Sequence, residues 1–245
     1  MQSCDPRVDG GAAGASLEDR RATAHARFAA VCARHGDAAR RGGVAVAWTG
    51  GKDSTLVLAL WRQWLAAEGL AGDIPLVALS LDTGCKFPEV MVFRDQVAHE
   101  WGVALHVARP AVDVAAYPVA EDKVACCGDL KIAPLKAAVT ALGIEVLFTG
   151  LRRDEHPSRA VRPWLESRLD PAYHMAHPIL ECTEMDVWAA TMEAGLPYCG
   201  LYDAGYRSLG CMPCTTAPAG ADGERAGRDQ GKERKLALLH SLGYF

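Results

Sequence analysis

The sequence predicts one α/β domain built on an open parallel sheet with helices on both faces. Three observations carry the prediction. Short apolar runs alternate with helix-length patterned stretches, and one such run passes directly into a helix through the glycine turn "TGGKDS". Half of the 245 residues are hydrophobic, enough for one sizeable core.

Residues 1–15 are rich in Gly, Ala and Asp and are expected to be disordered, leaving 16–245 as the domain. "SLEDRRATAHARFAAVCARHG" has helical spacing, with Ser16 as N-cap and Gly36 just past the end. Strands follow at "VAVAW" (44–48), "LVALSL" (76–81), "ALHVA" (104–108) and "VLFTG" (146–150). Helices are expected near 53–69, 88–101 and 129–142, and this alternation calls for βαβ units in a parallel sheet. Beyond residue 151 "HMAHPIL" predicts one more strand, "TEMDVWAATMEAG" a capped helix, and Lys232 onward a last helix. The tract between the last two is turn-rich and carries cysteines.

A formal net charge of -4 gives no global basic field, so a nucleic-acid contact would need a local patch or a partner. No segment approaches the roughly 20 apolar residues of a membrane span, and the N-terminus lacks a signal-like run, so a cytoplasmic setting is expected. Nine cysteines in a reducing compartment point to metal, catalysis or burial rather than to a disulfide frame.

Thr49, Gly50, Gly51, Lys52, Asp53 and Ser54 form the strand-to-helix corner. The glycines admit an anion to backbone N–H groups, the helix dipole favours it, and Lys52 and Ser54 add a charge and a hydroxyl. The spacing is not that of the Walker-A loop. An ordinary glycine turn would look similar in isolation. Arg152, Arg153 and Arg159, with Asp154, follow a strand end at Gly150 and suit an anion clamp, or else a solvated charged loop. Asp82 after the second strand is either a nucleotide or metal contact or a turn residue. In an open sheet all of these fall near the carboxyl ends of strands and can share one crevice.

The corner resembles the PP-loop, usually "SGGKDS", of the ATP pyrophosphatases, with Thr49 in place of the first Ser. "LDTGCKFPEVMVFRD" and the final "GYF" resemble the small, catalytic subunit of ATP sulfurylase, whereas "ECTEMDVWAATMEAGLPYCGLYDAGYRSLGCMPCT" resembles the sulfonucleotide (PAPS and APS) reductases. "FTGLRRDEHPSRA" resembles the arginine loop of both. This resemblance spans residues 42–245 and implies a Rossmann-like, adenine nucleotide alpha hydrolase-like fold. It implies that Lys52, Asp53, Arg152, Arg153 and Arg159 are catalytic, and that Thr49 to Ser54, Asp82 and Gly150 bind nucleotide. Cys126-Cys127 with Cys211 and Cys214 resemble the ligands of the [4Fe–4S] cluster in adenylyl-sulfate reductases; zinc or plain structural thiols are the other readings. Cys85 lies in the crevice loop, and Lys131 follows the cysteine pair.

Reductases of this type attack with a cysteine in an "ECGLH" tail; here the tail reads "KLALLHSLGYF". An intact PP-loop with cluster cysteines and no tail cysteine resembles the ATP pyrophosphatase component of DNA phosphorothioation. That resemblance implies ATP, Mg²⁺ and a cluster as cofactors, adenylation of an oxyanion, a cysteine desulfurase as partner, and DNA reached through other subunits; a homo-oligomer is left open. Sulfate adenylylation, reduction with an external thiol, and a non-catalytic ATP- and cluster-binding sensor are the alternatives.

Overall fold

The computed structural model of the chain describes residues 14–217 and 223–244. The expected disorder of 1–15, Cys4 and Phe245 of the "GYF" end therefore lie wholly or mainly outside the described residues. Helix α1, Leu17–Arg40, starts where expected: the Ser16 side chain accepts from the Asp19 N–H, and the Asp19 carboxylate accepts from the Ser16 N–H. It does not stop at Gly36. A kink at His35 (φ -126°) lets the helix resume and run to Arg40.

Strand β1, Val44–Ala47, feeds α2, Lys52–Ala67; β2, Val77–Leu81, feeds α3, Pro88–Trp101; then comes β3, Ala104–Ala108. The helix expected over 129–142 is broken. Helix α4, Lys123–Cys127, capped by Asp122, runs through a wider π-turn at Gly128–Ile132 into α5, Ala133–Leu142. Strand β4, Val146–Phe148, is followed by a hairpin of β5, Leu165–Leu169, and β6, Ala172–Ala176. Helix α6, Glu184–Glu193, has a Thr183/Asp186 capping box; two short helices, α7 (Gln230–Glu233) and α8 (Leu236–Ser241), end the chain.

The sheet order is β3-β2-β1-β4-β6-β5. Every pairing is parallel except β5 on β6, so the expected parallel sheet carries one antiparallel edge. Strand β6 lies earlier than the predicted "HMAHPIL", because the chain leaves the sheet at His177. One face packs Phe28, Trp48, Trp61, Trp64 and Phe148 under α1, α2 and α6, with Trp61 and Trp64 stacked at 5.3 Å. The other face packs Ala47, Leu135, Val139, Leu147 and Met175 under α5. β1 is flanked by β2 on one side and β4 on the other, so the connections diverge at its carboxyl end and open a crevice there.

Candidate functional site

The crevice is floored by the β1–α2 turn. Gly50 has φ +77°, and a Cβ there would lie 2.8 Å from Val90 Cγ1, so only glycine fits. Ser54 Oγ accepts from the Thr49 N–H at 3.2 Å and donates to the Gly51 carbonyl at 3.1 Å, which braces the loop from within. Gly150, just past β4, presses on the same turn: a Cβ would fall 2.7 Å from the Ser54 nitrogen.

Lys52 and Arg152 meet here, both fully buried. Lys52 Nζ bonds Glu224 Oε1, donates to the Arg207 carbonyl at 3.1 Å and reaches Asp53 Oδ2 at 3.3 Å. Its backbone N–H donates to the Tyr202 hydroxyl at 2.8 Å. Arg152 spreads its fork over three acids: Nε to Asp53 Oδ1 at 2.7 Å, Nη1 to Asp154 Oδ2 at 3.2 Å, Nη2 to Glu224 Oε2 at 2.5 Å. Burial works against both charges, but for Lys52 the carboxylates of Asp53 and Glu224, and for Arg152 those of Asp53, Glu224 and Glu155, outweigh it and raise both pKa values. Both stay cationic.

Arg159 is also buried and pairs with Glu155, which bonds Arg225 Nη1 at 3.1 Å. Burial pushes the Glu155 carboxyl up, yet Arg159, Arg225 and Arg152 hold it at about 2. The Asp53, Glu155 and Glu224 carboxylates offer oxygens within 4.8 Å of one another. Four interleaved cations, Lys52, Arg152, Arg159 and Arg225, neutralise that trio, so ion pairing accounts for it.

Two expected residues stand apart. Arg153 donates to Glu181 at 2.9 Å and to the Arg162 carbonyl at 2.9 Å, and does not line the crevice. Asp82 accepts from the Gly84 N–H at 3.0 Å and pairs with Arg109 at 3.3 Å, a turn and surface role. The residues that sequence reasoning missed are Glu155, Glu224, Tyr202, Arg225 and Lys86. The dense run "GERAGRD" was the available signal for two of them, inside a tract read only as turn-rich.

The far wall of the cavity is cationic, with Lys86, Lys131 and Arg228 beside Tyr244. Lys232 Nζ donates to the Tyr244 hydroxyl at 3.0 Å. Burial raises the Tyr244 pKa, but Lys131, Lys232 and Arg228 draw it down to about 6. Behind this wall lie the cysteines. Cys126 and Cys127 end α4; Cys211 and Cys214 flank a tight turn whose Met212 N–H donates to the Cys85 carbonyl at 2.8 Å. Burial and the neighbouring Cys127, Cys211 and Cys214 raise the Cys126 pKa, so these four thiols share one electrostatic neighbourhood, and Cys85 feels three of them too. Cys211 is pulled down to about 6: burial opposes this, while Lys131, Lys86 and a hydrogen bond from Thr83 at 3.2 Å favour the thiolate.

A single zinc with Zn–S bonds near 2.3 Å would need sulfurs about 3.8 Å apart. Among the described residues no three cysteine sulfurs lie within 4.8 Å of one another. Four cysteines from two segments, with Cys211 held toward the thiolate by Lys131 and Lys86, are a donor set that suits a cluster in which each cysteine binds its own iron.

A family model for the phosphoadenosine phosphosulfate reductase domain matches residues 43–217. The chain belongs to this family. Adenosine 5'-phosphosulfate reductase of Rhodococcus opacus (strain B4) is 36% identical over 172 residues, covering 66% of this chain and 68% of that protein. The same enzyme of Pseudomonas aeruginosa (strain LESB58) is 31% identical over 199 residues, covering 75% and 70%. Solved structures agree on the fold. PAPS reductase from Candida auris, as a phosphate complex, aligns at TM-score 0.59 and 17% identity over 84% of this chain and 100% of that one. Candida glabrata FMN adenylyltransferase with FMN and AMPCPP aligns at 0.64 and 13% over 97% and 88%. The U34-tRNA thiolase NcsA of Methanococcus maripaludis with its [4Fe–4S] cluster aligns at 0.55 and 14% over 93% and 81%. The expected family and fold class are thus both found, and the PAPS reductase family places the chain among enzymes of sulfur-linked nucleotide chemistry. Among the described residues no helix is long and apolar enough to cross a membrane.

Proposed function

We propose that this PAPS reductase family member is an ATP pyrophosphatase that adenylates an oxyanion for sulfur incorporation. The observation that carries the reading is the anion seat: Lys52, at the first turn of α2, and Arg152, from the loop after β4, converge on a single carboxylate, that of Glu224. Two buried cations at a helix N-terminus match the leaving pyrophosphate of a nucleoside triphosphate. ATP enters as its Mg²⁺ complex, its β and γ phosphates on the Gly50–Ser54 turn. An acceptor oxygen attacks the α-phosphorus, the bond to the β-phosphate oxygen breaks, and Lys52 and Arg152 take up the charge gathering on the leaving group. Asp53 orients both cations, through Oδ2 and Oδ1 respectively.

Cys126, Cys127, Cys211 and Cys214 would hold the [4Fe–4S] cluster, which would supply sulfur handling or an electrostatic centre. The acceptor we favour is a DNA phosphate, with a cysteine desulfurase as sulfur source and DNA affinity supplied by other subunits in a cytoplasmic assembly. Pyrophosphate release from ATP by the purified protein tests the reaction. Lys52→Ala is expected to lower it by 100-fold or more (about 2.7 kcal/mol). ADP and orthophosphate as products, or an unaffected variant, would remove the reading.

A second reading has its own observation. The cationic wall of Lys86, Lys131 and Arg228 beside the cysteines suits a sulfonucleotide. An external thiol would attack its sulfur and expel AMP, and a second thiol would release sulfite as the disulfide forms. Thiol-dependent sulfite from adenylyl sulfate, without pyrophosphate from ATP, would select it.

A further inference from the structure

We propose that Glu224 is an internal anion that gates the phosphate corner and sets which ligands enter it. The proposal rests on the anion-seat reading above and concerns what fills that seat before a ligand arrives. Three donors there face the incoming phosphate: the Lys52 N–H, Lys52 Nζ and Arg152 Nη2. All three are engaged by groups that lie past residue 200 in the chain, namely the Tyr202 hydroxyl, the Arg207 carbonyl with Glu224 Oε1, and Glu224 Oε2. Glu224 thus places one carboxylate oxygen on each cation, the arrangement a phosphate would adopt.

The segment bearing Glu224 is an irregular strap, bridged to Thr215 through Arg228 and to Thr216 through Gly227. It follows Gly223, at φ +94°, and belongs to neither the sheet nor a helix, since α7 begins only at Gln230. On its other side Arg225 ties it down through Glu155 and through Glu233, at 3.1 and 2.6 Å. Swinging Glu224 out strands two buried cations, which is costly unless another anion takes its place at once. Entry is therefore an exchange of anions, and it favours ligands that bring more negative charge than one carboxylate, such as the terminal diphosphate of a nucleotide.

Glu224→Gln keeps the side-chain shape and removes the charge. With inorganic pyrophosphate as the probe, titration calorimetry should show the variant binding about tenfold tighter or better than the unsubstituted protein, because the competent state no longer has to be released. A gain in affinity cannot come from a damaged fold. Equal or weaker binding by the folded variant, with clear binding by the unsubstituted protein, overturns the gate and leaves the anion seat standing. Binding by neither protein overturns both. If the variant does not fold, hydrogen exchange on the unsubstituted protein decides: amides 223–230 exchanging faster with pyrophosphate support the gate, and unchanged or slower exchange overturns it.

Discussion

His177 shows how one residue links stability to the site. It has no exposed surface; its Nδ1 lies 2.6 Å from Thr149 Oγ1 and its Nε2 3.4 Å from Glu166 Oε1. Burial draws its pKa down to about 4, although Glu166 pulls the other way. The unfolded chain therefore binds a proton near pH 6.5 that the folded chain refuses until near pH 4. Stability is full above the unfolded value and falls as pH drops through that window, by up to about 3 kcal/mol. Urea unfolding between pH 7 and 4 should show this fall, and His177→Gln should flatten it. An equally steep profile in the variant would assign the effect elsewhere, His240 being the next buried imidazole with a depressed pKa. Thr149 opens the loop that carries Gly150 and Arg152, so acid weakens the site along with the fold.

At the scale of elements, the legible parts were those where hydrophobic period and punctuation agree. The first four strands and α2 announce themselves by apolar runs ending in Gly or Pro turns. Strand β5 does not, because "LESRL" puts Glu166, Ser167 and Arg168 in its middle; it forms an edge where polar side chains find partners, Glu166 with Arg162 and Arg168. The π-turn after Cys127 was not legible either, because Gly128 marks a break before the helix expected over 129–142 whereas the chain winds on through it from Lys123 to Leu142. In the site, the corner and Arg152 were readable as motifs, whereas Glu224 and Tyr202 act from about 170 and 150 residues away from Lys52 in sequence, a distance no local pattern spans. Arg153 shows the converse: a motif position whose partner, Glu181, turns it away from the crevice. The contact between β4 and α2 gives a test. Gly150→Ala would put a methyl 2.7 and 2.8 Å from backbone atoms of Ser54 and Asp53, so strand and helix must part. A loss of about 1–3 kcal/mol and of most pyrophosphate release is expected, measured by thermal unfolding and turnover. Gly200→Ala, with nothing within 4 Å, should leave both unchanged.

Across the whole molecule, the described part of the tail from Cys211 to Tyr244 fastens the two halves of the cavity together. Its Cys211 backbone bridges to Lys86, the Asp229 N–H donates to the Cys214 carbonyl at 3.1 Å, and Asp229 pairs with Lys123 at the start of α4 at 3.0 Å. Leu236 and Leu239 of α8 then pack on Cys127 and Ile132. Lys86, Lys131, Arg159, Arg225 and Arg228 line this one cavity, and Lys52 and Arg152 lie buried at its phosphate corner, so a local concentration of cations lets a net charge of -4 coexist with an anion site. The cysteines are the knot of that fastening, so a cluster held by them, as proposed above, should contribute to folding as well as chemistry. Cys126→Ser with Cys211→Ser removes one ligand from each segment. Anaerobically prepared variant protein should lose nearly all iron and sulfide by elemental and colorimetric analysis. Its melting temperature should fall by roughly 5 °C, the shift that about 2 kcal/mol produces in a domain of this size. Iron retained at the level of the unsubstituted protein would show that these four cysteines are not the ligands, and iron lost with no change in melting would show that the tail is held by its ion pairs and α8 alone.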